Sequence, residues 1–230
     1  MPEQGDIEIK RGLNGVYFDS TKASFIDGEI GKLLYRGYNI DDLAEQSTFE
    51  EVVYLLIYGK LPNRKELDDI TAELQASRNI PDYIYDIIRM VKDSHPMDVL
   101  RTAISALSAS DPDAEDLSPE AIIRIGLKLT AQAPTIVCAH HRISEGLNPV
   151  APDSTLNHAS NFLYMLKGEM PTDDEAKTMD VDFVLHAEHG ANASAFAARV
   201  AAGTQTDFYS VVVAAISTLK GPSHGGAAES

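Results

Sequence analysis

Apolar residues after Asn39 recur at intervals of three and four positions, the spacing that places them on one face of an α-helix. Glycine, proline and capping residues interrupt this pattern, and each interruption marks a predicted helix boundary. The predicted helices are Ile40–Gln46, Phe49–Tyr58, a helix opened by Asn63, Pro81–Lys92, Met97–Ala109, Pro119–Glu145, Asn157–Leu166, Thr172–His186, Asn192–Ala202 and Asp207–Lys220. Pro134 should kink the longest of them, because a proline inside a helix removes one hydrogen bond and crowds the preceding turn.

The segment before Asn39 has a β-like pattern. Val16-Tyr17-Phe18 is a short apolar run, and Ser24-Phe25-Ile26 leads into Asp27-Gly28, a strong signal for a two-residue hairpin turn. A second arm follows over residues 31–37. The sequence therefore predicts an all-α fold with a small N-terminal β-hairpin. It divides the chain into a lead and hairpin over residues 1–38 and a helical domain over residues 39–230.

The composition argues against several classes of protein. The formal net charge of −16 disfavours nucleic acids and anionic membranes as partners, because both carry negative charge and would repel this chain. The apolar runs are short and interrupted by charge, so we expect no transmembrane span. The acidic N-terminus lacks the apolar core of a secretory signal. The single cysteine, Cys138, argues against a disulfide framework and favours a reducing, cytoplasmic setting.

Three of the seven histidines lie between Val184 and Glu229, at two breaks between predicted helices. His186 and His189 are three positions apart, which would place both imidazoles on one face of a helix end. The zinc-protease motif requires a spacing of four, so we predict no metal site. Two interpretations remain open. Either the pair donates to a carboxylate ligand, or one histidine is buried and structural while the other is exposed.

The second cluster, Gly221-Pro222-Ser223-His224-Gly225, matches the Gly-x-Ser-x-Gly pattern of serine hydrolases. That pattern requires a preceding strand and a later triad histidine, whereas this segment follows a predicted helix, so a serine hydrolase is a poor interpretation. If His224 instead begins a further helix, the positive end of the helix dipole favours a neutral imidazole, which can donate to a carbonyl oxygen. Gly225 and Gly226 would then leave room for a ligand. The alternative is that these glycines only separate two helices.

Alanines are concentrated in the predicted helix Asn192–Ala202. Small side chains let two helices approach each other closely. The close approach could occur within a core or across a subunit interface, and the pattern by itself favours neither.

Six motifs occur along the chain in one order: Phe25–Gly28, Leu34–Ile40, Asn161–Tyr164, Leu185–His189 with Asn192-Ala193-Ser194, Asp207-x-Tyr209-Ser210, and Lys220–Ala227. In order and spacing they resemble the citrate synthase family. The resemblance implies a mostly α-helical homodimer, or a higher homo-oligomer, that condenses acetyl-CoA with oxaloacetate to citrate and CoA in the tricarboxylic acid cycle. It implies no cofactor, since acetyl-CoA is a substrate. The segments that the family pattern implies for the dimer interface are Met97–Ala109, Pro119–Glu145, Asn192–Ala202 and Asp207–Lys220.

The same resemblance implies a role for each candidate residue. His224 is similar to the histidine that polarises the thioester carbonyl while the enol forms, which makes it the candidate catalytic residue. His189 is similar to the histidine that binds oxaloacetate, and His186 would orient the cluster. Asn161 and Asn192 resemble supporting polar residues near the substrate.

The family pattern continues beyond the position of Ser230 with a catalytic aspartate and with arginines that bind the substrate carboxylates. No carboxylate in this chain is a convincing substitute for that base, so we predict that the 230-residue chain is nearly inactive by itself. Two other functions remain open. One is 2-methylcitrate synthase, which would use propionyl-CoA with the same residues, and the other is a non-catalytic helical module that only dimerises.

Overall fold

The structure, a computed structural model, describes residues 20–229. The predicted apolar run at residues 16–18 lies outside these residues. Three strands come first: β1 (Ser24–Asp27), β2 (Lys32–Tyr35) and β3 (Tyr38–Asn39). The helices follow as α1 (Ile40–Gln46), α2 (Phe49–Tyr58), α3 (Arg64–Ala76), α4 (Asp82–Met90), α5 (Pro96–Leu107), α6 (Pro119–Ser144), α7 (His158–Lys167), α8 (Asp173–His186), α9 (Ala193–Ala202) and α10 (Phe208–Leu219). Short 3-10 helices cover Ser108–Ser110 and Gly225–Glu229.

The predicted all-α fold with a small N-terminal sheet is confirmed. Every predicted helix is present, and its boundaries fall within two residues of the expected ones. Local chemistry explains this agreement at α2, α3 and α8. Each begins with a capping box, in which the N-cap side chain accepts the N–H of a glutamate three residues on, and that glutamate accepts the N-cap N–H.

Helix α6 is the centre of the core. It packs against α3, α4, α5 and α7, and it buries residues on several sides, among them Ile125, Leu127 and Ile136. By length and composition α6 could cross a membrane, so the short apolar runs in the sequence did not by themselves exclude a span. Half of its most apolar stretch is buried against the rest of the protein, and we therefore interpret α6 as a core helix. The helix is continuous through Pro134, and a kink there stays a prediction.

The turns of the sheet differ from the prediction. A two-residue turn at Asp27-Gly28 is wrong, because Asp27 is the last residue of β1 and pairs with Lys32. The connection is the four-residue loop 28–31, in which the Asp27 carboxylate accepts the N–H of Glu29. The two-residue turn occurs instead at Arg36–Gly37, between β2 and β3, and it adds a strand to the predicted hairpin.

Arg36 occupies the left-handed region with φ 51°, which few residues other than glycine adopt, and Gly37 follows with φ 95°. The Arg36 guanidinium donates to the carbonyl oxygen of Leu56, with Nη2 at 2.6 Å and Nε at 3.1 Å. Leu56 lies in the last turn of α2, where carbonyl groups have no partner within the helix. This contact ties the sheet to the helical body.

The sheet also shares a core with the helices. Tyr35 of β2 is 0% exposed and packs in one cluster with Leu43, Val52, Leu55 and Val184. These residues come from α1, α2 and α8. The division of the chain at residue 38 stays a prediction, since the described contacts do not define a boundary.

Buried carboxylates hold the starts of two helices. Asp180 of α8 accepts the N–H of Phe49, the first residue of α2, at 3.1 Å. Glu50 of α2 accepts the N–H of His158, the first residue of α7, at 2.8 Å. Burial raises the pKa of both carboxyl groups, and these backbone hydrogen bonds partly offset the rise.

The His158 side chain is buried next to two aromatic rings. Its ring is 4.7 Å from that of Phe49 and 5.3 Å from that of Phe183, measured between centroids, and the residue is 4% exposed. Burial, assisted by the nearby Arg78 charge, lowers the pKa of His158 to about 4. The folded protein therefore holds this imidazole neutral at neutral pH.

We predict that His158 makes the fold sensitive to mild acid. The unfolded chain binds a proton near pH 6.5 while the folded chain does not, so stability is lost as pH falls below the unfolded pKa. Between pH 7 and pH 5 this loss is about 2 kcal/mol. Urea unfolding at both pH values measures it. His158→Phe keeps an aromatic ring in place and should flatten the dependence.

His141→Gln is the control, because His141 is exposed on α6. The raised pKa values of Glu50 and Asp180 act in the opposite direction, since those groups stabilise the fold as they take up protons. They are present in all three proteins, so the comparison removes their contribution. An equally steep dependence in wild type and His158→Phe would refute the assignment.

Candidate functional site

The two histidine segments meet at the N-terminal end of α9. Helix α8 ends at His186, and the connection of residues 187–192 leads into α9 at Ala193. The Asn192 side chain caps α9, because its Oδ1 accepts the N–H of Ala195 at 2.9 Å. The first turn of α9 is thereby fixed, with the remaining N–H groups of the helix start directed toward this end.

His224 reaches the same end of α9 from the other side. Its Nε2 lies 3.0 Å from the Ser194 hydroxyl, and that hydroxyl lies 2.8 Å from Asn192 Oδ1. Asn192, Ser194 and His224 therefore form one hydrogen-bonded chain that joins the segment after α10 to the first turn of α9. His224 is partly exposed.

The Ser194 hydroxyl has a single hydrogen, and its position decides the state of His224. In this structure Ser194 donates to Asn192 Oδ1, because an amide oxygen can only accept, so a neutral His224 donates from Nε2 and Nδ1 is left as an acceptor. If Ser194 donates to His224 Nε2, then Nδ1 carries the proton and is the free donor. Only the second arrangement gives the imidazole an N–H to offer a ligand carbonyl.

Close packing determines the path of the chain at His224. A Cβ atom at Gly225 would lie 2.6 Å from Leu219 Cδ1 and 2.7 Å from the Leu219 carbonyl oxygen. A Cβ atom at Gly226 would lie 2.6 Å from the carbonyl oxygen of Lys220. The expectation that these two glycines leave room for a ligand is wrong at these contacts, because the end of α10 fills that space. The glycines allow the chain to fold back, which places His224 beside α9.

An ion pair holds the end of α10 in place. Lys220 Nζ donates to Asp98 Oδ2 at 2.6 Å, and Asp98 lies in the first turn of α5. The hydrogen bond from Lys220 lowers the pKa of Asp98, with the nearby charge of Arg101 as a further cause. The residue that precedes the Gly-Pro-Ser-His segment is thus fixed to a second helix.

The first histidine pair is arranged differently from the prediction. Helix α8 ends at His186, and His189 lies beyond it in the connection, so the two rings do not share a helical face. The His186 side chain is 76% exposed, and its Nδ1 lies 2.8 Å from the carbonyl oxygen of Asp182 in its own helix. His189 is exposed, three residues before the α9 N-cap. The proposed orienting role of His186 stays a prediction.

Asn161 is not brought together with the histidines. It lies in α7, is 2% exposed, and accepts the N–H of Asp153 at 2.9 Å through Oδ1. Its Nδ2 faces the Met165 sulfur at 3.8 Å. In this structure the Asn161 side chain holds the loop before α7, and a contact with substrate stays a prediction.

Residues that the sequence analysis did not single out hold the connection before α9. The Tyr35 hydroxyl donates to the carbonyl oxygen of Leu185 at 3.0 Å and accepts the N–H of Glu188 at 3.2 Å. Burial raises the pKa of this tyrosine. Glu188 Oε1 accepts hydrogen bonds from Ser24 Oγ and from the N–H of Gly190. The available signals were the position of Glu188 between the two histidines and the inclusion of Tyr35 and Glu188 in the motifs Leu34–Ile40 and Leu185–His189.

Two clefts flank α9. One, of about 110 Å³, lies between the sheet and the start of α9, and its lining includes Glu188, Gly190 and Ala195. The other, of about 260 Å³, lies near the end of α9 and is lined by apolar residues such as Leu117 and Phe208. The larger cleft has no titratable side chain among its lining residues. The N-terminal end of α9 is therefore the candidate site, because the His224 imidazole and free helix N–H groups lie there and His189 precedes it by three residues in the chain.

Comparison with known proteins gives consistent results. The family described as "Citrate synthase, C-terminal domain" matches residues 12–230. Citrate synthase from Deinococcus radiodurans is 50% identical over 222 residues, which cover 96% of this chain and 59% of that protein. A 2-methylcitrate synthase from Mycobacterium tuberculosis is 44% identical over 223 residues, which cover 96% of this chain and 56% of that protein.

A solved structure is similar over the same extent. It is the ternary complex of carboxymethyl coenzyme A and oxaloacetate with citrate synthase from Thermoplasma acidophilum, with a TM-score of 0.92 and 31% identity. The match covers 96% of this chain and 58% of that one. The chain thus spans somewhat more than half the length of the relatives it matches. On the family match over residues 12–230, the chain belongs to the citrate synthase family.

Proposed function

We propose that this protein serves citrate synthesis, the condensation of acetyl-CoA with oxaloacetate to citrate and CoA in the tricarboxylic acid cycle. The observation that carries the proposal is the hydrogen-bonded contact between His224 and Ser194 at the start of α9. It holds a partly exposed imidazole in one orientation beside the connection that carries His189. Such an imidazole can polarise a carbonyl group that a second residue holds in place.

His224 is the proposed electrophile. For this role the Ser194 hydroxyl hydrogen turns from Asn192 Oδ1, which accepts it in this structure, to His224 Nε2, so that the proton of the neutral ring lies on Nδ1. The Nδ1–H group then donates to the thioester oxygen of acetyl-CoA while a base removes a proton from the methyl carbon. The resulting enol attacks the ketone carbon of oxaloacetate and forms the new carbon–carbon bond. Water then cleaves the thioester and releases CoA.

His189 is the proposed ligand of oxaloacetate. Its ring is exposed in the connection before α9, and the N-terminal end of that helix favours negative charge. Asn192 supports this position by fixing the first turn of α9, and His186 would contribute to the orientation of the connection. Oxaloacetate carries two carboxylates, so cationic groups in addition to these residues would strengthen its binding. We propose no cofactor and no metal for this reaction.

The relatives include enzymes for two acyl groups. The 2-methylcitrate synthase from Mycobacterium tuberculosis is nearly as similar to this chain as the citrate synthase from Deinococcus radiodurans. Propionyl-CoA is therefore the second candidate substrate, with the same roles for His224 and His189. A methyl group in an apolar pocket changes the transition-state free energy by only about 1–3 kcal/mol, so acyl preference depends on the lining of the site rather than on its chemistry.

We also propose that the protein is a homodimer, or a higher homo-oligomer, in the cytoplasm. Helices α9 and α10 pack on each other, and α10 packs in turn on α5. Val200 of α9 and Leu219 of α10 remain exposed in the single chain, as is Val137 of α6. An interface formed by α5, α6, α9 and α10 would cover such residues. A non-catalytic module would use the same surface but would bind no substrate.

The first prediction from this proposed function concerns activity. In the citrate synthase family pattern, the catalytic base and the substrate-binding arginines follow the position of Ser230. The 230-residue chain should therefore turn over at least about a hundred times more slowly than a citrate synthase that carries these residues. A steady-state assay of CoA release measures the rate. Ordinary turnover from this chain would show that its own residues supply the base.

Calorimetry with oxaloacetate completes this test. If the protein has a substrate site, the wild-type chain should give detectable heat with oxaloacetate. His189→Ala should remove this heat, and the control His141→Ala should leave it unchanged. Dimerisation in mass photometry without any heat from oxaloacetate would favour the non-catalytic module and would overturn the proposed function.

The second prediction concerns the proton on His224. Nitrogen-15 NMR of the imidazole should show the neutral Nδ1–H form in wild type, because the proposed role requires the Ser194 hydrogen to point to His224 Nε2 rather than to Asn192. Ser194→Ala should give a mixture of both neutral forms, while Ser194→Thr keeps a hydroxyl and should restore the wild-type spectrum. Ser217→Ala is the control, since that hydroxyl on α10 bonds only to the Val213 carbonyl oxygen in its own helix. A wild-type ring protonated on Nε2 would remove the proposed donor.

The third prediction concerns the acyl group. Residual turnover at high protein concentration should give a larger kcat/KM with acetyl-CoA than with propionyl-CoA, by about tenfold or more if one methylene group is excluded from the site. The same preparation serves for both substrates, so any difference in folding cancels. A larger kcat/KM with propionyl-CoA would identify the 2-methylcitrate reaction instead.

A further inference from the structure

The connection that carries His189 is attached to the N-terminal sheet. Its neighbours along the chain are α8 and α9, but two of its hydrogen bonds run to strands about 150 residues away in sequence. An exposed connection without such contacts would sample many backbone conformations. The position of His189 is therefore determined by the sheet as well as by the helices.

Glu188 is the centre of this attachment. Its Oε1 accepts the Ser24 hydroxyl at 2.8 Å, and the same oxygen accepts the Gly190 N–H at 2.7 Å. The two bonds enclose His189, because Glu188 and Gly190 are its neighbours on either side. Hydrogen bonds to an ionised carboxylate are about twice as strong as those between neutral groups. One carboxylate thus joins both sides of the histidine to β1.

Packing against β1 supports the same arrangement. Gly190 has φ 70°, a conformation that side chains other than glycine rarely adopt. A Cβ atom there would lie 3.0 Å from Ile26 Cδ1 and 3.9 Å from Ser24 Oγ. The backbone at Gly190 therefore lies directly on the strand that supplies the Ser24 hydroxyl. Tyr35 adds a second support, since its hydroxyl bridges Leu185 and Glu188.

We propose that Glu188 is a positioning residue for His189, and that β1 is part of the substrate site through the hydrogen bond from Ser24 to Glu188. Glu188 itself need not touch the substrate. It fixes the backbone on both sides of His189, so that the imidazole is held ready for a ligand rather than ordered on binding. The proposal rests on the proposed role of His189 for its functional meaning, while the attachment itself can be tested without any substrate.

Three variants separate the contributions. Glu188→Ala removes both hydrogen bonds, and Ser24→Ala removes only the bond to β1. Glu188→Gln keeps a side-chain oxygen that can accept from both donors, although without charge. Asp27→Ala is the matched control, because that carboxylate lies in the same strand and accepts the N–H of Glu29 in the exposed loop. The Asp27 change should not affect the connection.

The experiment measures amide hydrogen exchange across residues 187–192 by NMR on the full 230-residue chain, together with oxaloacetate calorimetry. In Glu188→Ala the Gly190 amide should exchange at least about tenfold faster, since it loses its acceptor, and oxaloacetate affinity should fall by about tenfold or more. Ser24→Ala should show a smaller effect in both measurements. Glu188→Gln should stay close to wild type, and amides in α6 should be unchanged in every variant.

Each outcome bears on one claim. If the Gly190 amide in Glu188→Ala exchanges at the wild-type rate, the positioning role is overturned, whatever the oxaloacetate affinity of the variant. Faster exchange in Glu188→Ala with no oxaloacetate heat even in wild type would leave the attachment established and would overturn the proposed function instead. Equal acceleration in α6 and at Gly190 would indicate a general loss of stability, and the positioning role would then be rejected.

Discussion

Backbone N–H groups at the starts of helices must find acceptors, and this constraint organises the whole molecule. The first turns of α2 and α7 obtain theirs from buried carboxylates on neighbouring helices, Asp180 and Glu50. In the first turn of α9 the acceptor is the Asn192 side-chain oxygen, which also accepts the Ser194 hydroxyl. The candidate site is therefore built on a helix start whose geometry is fixed before any ligand arrives.

The site depends on long-range packing around that helix start. His224 reaches it because Gly225 and Gly226 allow the chain to fold back on the end of α10. His189 lies in the connection before that helix start, and the sheet supports this connection. The sheet of three short strands thus holds this backbone segment in addition to packing on α1, α2 and α8.

Much of the helical fold could be read from local patterns. The capping boxes at Thr48, Asn63 and Thr172 combine an N-cap side chain with a glutamate three residues later, and such pairs act within one turn. The turns of the sheet were harder to locate. Asp27-Gly28 has the composition of a two-residue turn, but the turn forms at Arg36–Gly37. There the Arg36 guanidinium donates a hydrogen bond to the Leu56 carbonyl oxygen.

The sequence alone determined the helices, the histidines capable of the chemistry and the resemblance to the citrate synthase family, because periodicity, capping and motif spacing are local properties of the chain. Only the tertiary structure decided the partners of those residues. It buried Asn161 under the loop before α7, joined Ser194 to His224, and placed Ser24 on Glu188 across 164 residues of chain. Contacts of this kind depend on how helices and strands pack together, and neither residue type nor sequence spacing determines that packing.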